Sequence, residues 1–205
     1  MGPCHLDTVK SGSSLGYTVI MTRSTDPEGL REAILAISHN LLNEGGPASL
    51  SMREVARRAS CTHQAPYHYF TNREAIITAL VTGGFTSLSK VLASARDEGD
   101  AVAIGYAYVR FALENPGVFR IMFRSDMYTP ESDVNFVSAV ASSRKQLSAL
   151  CENIYPQASE EQQMALWAYV HGLATLLLDG PPSLQFSNNT QRLTYAKRVL
   201  EQGLR

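Results

Sequence analysis

Residues 51–74 constrain the fold of this chain more than any other stretch. Ser51-Met-Arg-Glu54 has the form of a capping box, in which a serine hydroxyl and a glutamate three residues on satisfy each other's backbone N–H groups. It opens a short helix whose inner face carries Met52, Val55, Ala56 and Ala59. Ser60-Cys61-Thr62 then breaks the pattern, and Thr62 can cap a third helix running through Phe70. Thr71-Asn-Arg-Glu74 repeats the capping box and opens a longer fourth helix to about Ser94. Two short helices joined by about three residues form a helix-turn-helix. Such a motif needs a brace, and the preceding stretch supplies one. Asp26 can cap, Pro27 suits the first helical position, and Leu30, Ala33, Ile34, Ile37 and Leu41 recur at helical spacing until Gly45-Gly46-Pro47 stops the helix.

The chemistry along this motif suits a nucleic-acid groove. Arg53, Arg57, Arg58 and Arg73 are opposed only by Glu54 and Glu74, although Arg57 and Arg58 are equally well explained as a solvated face. His63 and Gln64 fall in the first turn of the third helix, where a helix lying in the major groove reaches base edges. Glutamine offers a paired donor and acceptor that suits adenine, and histidine can donate to a guanine acceptor. Tyr67 and His68 are better placed for phosphates, and the helix starts at Ser51, Thr62 and Thr71 add backbone donors. Pro66 lies near the helix start, where a missing N–H costs least. Tyr69, Phe70 and Cys61 read as packing residues.

This patch must act locally, because the 205-residue chain carries 18 Lys and Arg against 19 Asp and Glu, for a net charge of −1. Cys4, Cys61 and Cys151 match no metal-ligand spacing, and no HExxH or P-loop occurs. No metal, cofactor or catalytic residue is assigned. No run approaches about 20 uninterrupted apolar residues, and the start lacks the apolar centre of a secretory signal, so the expected place is the cytoplasm without membrane contact.

Beyond residue 95 the sequence again reads as helices, near 101–115, 117–123, 131–154, 159–179 and 190–203, divided by Asn115-Pro116, Thr129-Pro130, Tyr155-Pro156 and Gly180-Pro181-Pro182. Strand alternation is absent, so the expected fold is all-α. The expected organisation is a flexible arm over 1–26, a DNA-binding domain over 27–75 with the fourth helix as connector, and a helical ligand-binding and dimerisation domain over 95–205. Met21, just ahead of the organised part, is a candidate natural start, and Lys10 and Arg23 in the arm could touch phosphates. Gly83 and Gly84 within the connector suggest close packing more than a bend.

The run from Ser51 to Ile76, with its Val-Ala pair, three-residue turn, Tyr67, Phe70, Arg73 and Glu74, resembles the N-terminal domain of the TetR family of regulators. Ser60 stands where that family has a turn glycine, so a left-handed backbone there would cost about 1 kcal/mol. Tyr69 replaces a usual histidine. The resemblance implies phosphate contacts for Ser51, Tyr67 and Arg73, and base reading by Arg53, His63 and Gln64. Trp167, His171 and Gly172, with Asn115-Pro-Gly-Val-Phe-Arg-Ile-Met-Phe123, resemble the subgroup named for a Trp-x-x-x-His-Gly signature.

The family pattern implies a homodimer on a palindromic double-stranded operator, with the last two long helices pairing and Leu173, Leu176, Leu177 and Leu193 as interface candidates. Two-fold symmetry matches half-sites about 34–36 Å apart. Tyr106, Phe123, Phe136, Trp167 and His171 are candidates for an apolar or aromatic effector, though aromatic residues at helical spacing also simply fill cores. Ligand would tilt the fourth helix and change the spacing of the two DNA-reading heads, with repression as the family's usual mode. The alternatives are a small helical enzyme or a protein-interaction module with a degenerate motif.

Overall fold

The computed structural model describes residues 27–98, 100–128, 134–181 and 183–204. The arm assigned to 1–26, including Lys10, Arg23, the Met21 start and the Asp26 cap, lies outside these. Among the described residues every regular element is helical: α1 (Pro27–Gly45), α2 (Met52–Arg58), α3 (Arg73–Glu98), α4 (Ala101–Glu114), α5 (Pro116–Met122), α6 (Val134–Ile154), α7 (Glu160–Asp179) and α8 (Asn189–Gly203). Short 3-10 turns lie at Pro47–Ser49, Ala65–His68 and Ser125–Met127.

The caps explain most boundaries. Ser51 accepts from the Glu54 N–H at 3.2 Å, and Asp100 accepts from Ala103 at 3.1 Å. Ser159 and Gln162 make a reciprocal capping box at the start of α7, while Asn188 opens α8. The second capping box foreseen at residues 71–74 resolves differently. Asn72 rather than Thr71 caps α3, accepting from Ala75 at 2.8 Å, so Thr71 is one residue too early.

The foreseen third helix is shorter than its pattern suggested. Only Ala65–His68 is regular, and it is a 3-10 turn. Ala65 donates to the Thr62 carbonyl at 3.0 Å, but Pro66 has no N–H with which to extend an α-type ladder from Thr62. Tyr67 then donates to the Gln64 carbonyl at 3.1 Å, and Tyr69 and Phe70 both donate to that of Pro66.

The 26-residue α3 is the spine of the molecule. It continues through Gly83 and Gly84 without a break, runs past Ser94 to Glu98, and packs against α1, α4, α5 and α6. Its length and mean hydropathy of 1.5 over the most apolar window would permit a membrane crossing. Here Ile76, Ile77, Leu80, Val81, Leu88 and Leu92 are instead buried in protein, as in a core helix. One hydrophobic core runs from Ile34 and Leu42 in α1 to Leu200 in α8, so the two halves share an interior.

Candidate DNA-reading face and effector cavity

The helix-turn-helix begins with α2, whose Val55 and Ala56 are buried against the core while Arg53 faces solvent. Ala59, expected on the inner face, is half-buried. Past the end of α2, Ser60 has φ 52°. Its N–H donates to the Arg57 carbonyl at 3.3 Å, and that of Cys61 donates to Ala56 at 3.1 Å. These two bonds are a Schellman closure, and Ser60 occupies the left-handed position that glycine usually takes. The turn therefore has the strained backbone that the missing glycine implied. The Cys61 thiol approaches the Ala56 carbonyl at 3.7 Å, and burial pushes its pKa up, away from thiolate chemistry.

The connector leaves Thr62, His63 and Gln64 exposed, followed by buried Pro66. Tyr67 and His68 are exposed as well. Tyr67 is 42% exposed, unusual for a large ring, and its centroid lies 5.9 Å from that of His63. Phe70 closes the segment from inside: it is buried, and Arg31 of α1 lies over its ring at 5.3 Å. Tyr69 packs against the same core. The two residues expected as packing thus anchor a surface of polar and aromatic groups.

The arginines divide into three kinds. Arg57 and Arg58 both bind Glu54, at 2.7 and 2.9 Å, and Arg58 also reaches Glu44 at 2.7 Å. Those hydrogen bonds hold the Glu54 carboxyl at about 2, well below its usual range. Arg73 is a clamp: its Nε donates to the Leu50 carbonyl at 2.9 Å and a terminal nitrogen to that of Pro47 at 2.7 Å. It ties the start of α3 to the turn that launches α2. Arg53 forms no ion pair among the described residues, and its exposed charge is available to an outside anion.

In the C-terminal half, α3, α5, α6 and α7 surround a cavity of about 590 Å³, open on one side. Phe85, Leu88, Met122, Phe123, Leu147 and Trp167 form its apolar wall. The five aromatic effector candidates separate here. Phe123 and Trp167 line the cavity, with ring centroids 6.0 Å apart. Phe136 is buried beside it, edge-on to Phe85 at 6.1 Å.

His171 lies behind the wall, 4.5 Å from the Phe123 ring. It pairs through Nδ1 with the Tyr108 hydroxyl at 2.8 Å, and Trp167 Nε1 donates to the same hydroxyl at 3.4 Å. Burial pushes the Tyr108 pKa up and the His171 pKa down, so both are held neutral. Tyr106 points elsewhere. Two positions from Tyr108 is about 200° around a helix. It lines shallow grooves on the opposite side of α4 with Lys197 and Arg198.

Several lining residues were absent from the sequence candidates. Gln163 and Met164 precede Trp167 by about one turn on α7, and Val140, Arg144 and Leu147 recur at helical spacing on α6. That periodicity was readable, but only Trp167 stood out as aromatic.

Comparisons with known proteins align with this geometry. Residues 34–80 match the family described as bacterial regulatory proteins, tetR family, and residues 101–197 match a tetracyclin repressor-like C-terminal domain. The latter description does not name the Trp-x-x-x-His-Gly subgroup. An HTH-type transcriptional regulator of Mycobacterium tuberculosis is 27% identical over 105 residues, 48% of this chain and 45% of that protein. The chain thus spans about half the length of that relative. The HTH-type transcriptional regulator BetI of Rhizobium meliloti is 24% identical over 85% of this chain and 75% of its own length. Among solved structures, a protein of unknown function from Rhodococcus sp. RHA1 superposes with a TM-score of 0.67 at 28% identity, covering 85% of this chain and 95% of that one. A regulatory protein in the tetR family, also from Rhodococcus, has the same TM-score at 19% identity and shares the fold.

Proposed function

Because this chain belongs to the TetR family of bacterial transcriptional regulators, which are not enzymes, we propose that it represses transcription as a cytoplasmic homodimer on a palindromic operator and is released by a small molecule in the C-terminal cavity. The observation that carries this reading is the exposed set Arg53, His63, Gln64 and Tyr67, presented on a turn closed by Ser60 and clamped by Arg73. Arg53, His63 and Gln64 read bases; Ser51, Thr62, Tyr67 and His68 hold phosphates. Arg73 acts chiefly by positioning, since two of its donors are committed to carbonyls.

The dimer forms through α7 and α8. On α7, Ala165, Ala168, Thr175 and Leu176 are exposed on the face that also carries half-buried Gly172, and Leu176 is 50% exposed. A side chain at Gly172 would meet nothing within 4 Å, which leaves room for a partner backbone. Of the four leucines considered, Leu173 and Leu177 are spent on the subunit's own core. The domain division at about residues 75–95 makes α3 the shared element.

The effector signal travels through α5. Its last residue, Met122, lines the cavity and also crowds Gly84 of α3, while Gly117 sits against Leu42 and Asn43 of α1. An occupant that displaces α5 therefore shifts both helices beneath it, to the extent that it binds one arrangement better.

Selection of bound duplexes from a random pool tests the proposal and should return a palindrome. Arg53→Ala and Gln64→Ala then relax base preference, whereas Tyr67→Phe weakens all sequences alike. Affinity should fall steeply as salt rises. Binding indifferent to all three substitutions would overturn the contact assignment.

A further inference from the structure

The cavity's polar groups are not equally available. Tyr128 donates its hydroxyl to the Met122 carbonyl at 2.8 Å, and Ser143 donates to Val140 at 3.0 Å. Ser148 donates to the Gln163 amide oxygen at 3.0 Å, and the Gln163 nitrogen donates to Ala158 at 3.3 Å. These side chains complete the wall and have little left for a ligand. Two charged groups remain at the opening, Arg144 and Glu160, both exposed and not ion-paired to one another.

Their surroundings differ. Glu160 is the first residue of α7, where free backbone N–H groups and the helix dipole already favour a negative charge. Arg144 lies midway along α6, next to Lys145, and forms no ion pair among the described residues. The unmet demand at the opening is therefore for an anion. A guanidinium fork meets a carboxylate or sulfonate with two parallel hydrogen bonds.

Building on the effector role of this cavity, we propose that its ligand is an amphipathic anion, with an apolar body of aromatic size against Phe85, Phe123 and Trp167 and an acidic group held by Arg144. The acidic end stays at the opening, where it keeps much of its hydration. The apolar body supplies the burial.

The chain has one tryptophan, and Trp167 lines this cavity, so quenching of its emission reports on occupancy there. Two naphthalene probes separate the issues. 8-Anilinonaphthalene-1-sulfonate carries the anion, and N-phenyl-1-naphthylamine has the same rings without it. The 205-residue protein should bind the sulfonate about tenfold more tightly than the neutral probe. Arg144→Gln should remove that advantage and leave the neutral probe unchanged, while Lys145→Gln, one residue outside the lining, should alter neither. Equal affinities in the parent protein, or a sulfonate advantage that survives Arg144→Gln, would overturn the anion proposal with the cavity reading intact. Absence of Trp167 quenching by both probes would count against the cavity itself and, with it, this proposal.

Discussion

At the scale of single residues, the turn of the DNA-reading motif carries a local strain with a measurable consequence. Ser60 holds φ 52° to close two hydrogen bonds after α2, a conformation that costs most side chains about 1–2 kcal/mol. Ser60→Gly relieves it, partly offset by the greater freedom of glycine in the unfolded chain. The expected gain is up to about 1 kcal/mol, read as a higher urea midpoint with unchanged operator affinity. A loss of stability would mean that the serine side chain makes a contact worth more than the strain. This position was legible from sequence, because a helix-turn-helix connection with a serine in the glycine place has few backbone options. The Arg73 clamp was not. Its carbonyl partners lie 23 and 26 residues earlier, and nothing local distinguishes a clamp from a phosphate ligand.

At the scale of elements, boundaries followed local chemistry closely and packing followed it less well. Caps and prolines located α2, α4, α5, α7 and α8 within a residue or two, since each rests on a bond within one turn. The reading segment was overextended, because its periodicity concealed the donor that Pro66 lacks. Likewise the aromatic effector candidates were sorted only by helix rotation, which sends Tyr106 and Tyr108 to opposite sides of α4. The wedge formed by α5 makes a sharper prediction. At Gly117 an added methyl would lie 2.6–2.7 Å from the backbone of Leu42 and Asn43, and Asn43 already accepts from the Gly117 N–H at 2.8 Å. At Gly84 the obstacles are the side chains of Val118 and Met122, at 2.8 and 2.9 Å. Backbone cannot yield as a methionine can. Gly117→Ala should therefore destabilise by about 1–3 kcal/mol, and Gly84→Ala by clearly less. Thermal denaturation of the two variants decides it, and the reverse order would show that α5 is looser against α1 than against α3.

At the scale of the whole molecule, a buried and a half-buried histidine make stability depend on pH. His39 is buried in α1, and His171 stands behind the cavity wall; burial lowers both pKa values, outweighing the bonds of His39 to Asn40 and Asn115. In the unfolded chain each returns to about 6.5. Below that pH the unfolded state binds more protons than the folded one, so stability is full above it and declines as pH falls toward the lowered values. The ion pair of Arg120 with Asp179 adds a second loss at lower pH, since its depressed carboxylate must be protonated. The urea midpoint should thus fall between pH 7.5 and pH 5.5, with a shallower fall in His171→Gln. A flat profile over that range would mean that both rings protonate freely in the folded state.

The unbroken course of α3 also sets the gain of the molecule as a lever. From Gly84, where α5 presses on it, to Arg73 at its start is about 16 Å of helix. A tilt of roughly 10° about that contact moves the Arg73 end by about 3 Å, and in the proposed dimer two-fold symmetry doubles the effect to about 6 Å between the reading heads. Half-sites about 34–36 Å apart on a stiff duplex tolerate little such error. In the proposed regulator, a cavity ligand that tilts α3 by this much takes both heads out of register with the grooves at once.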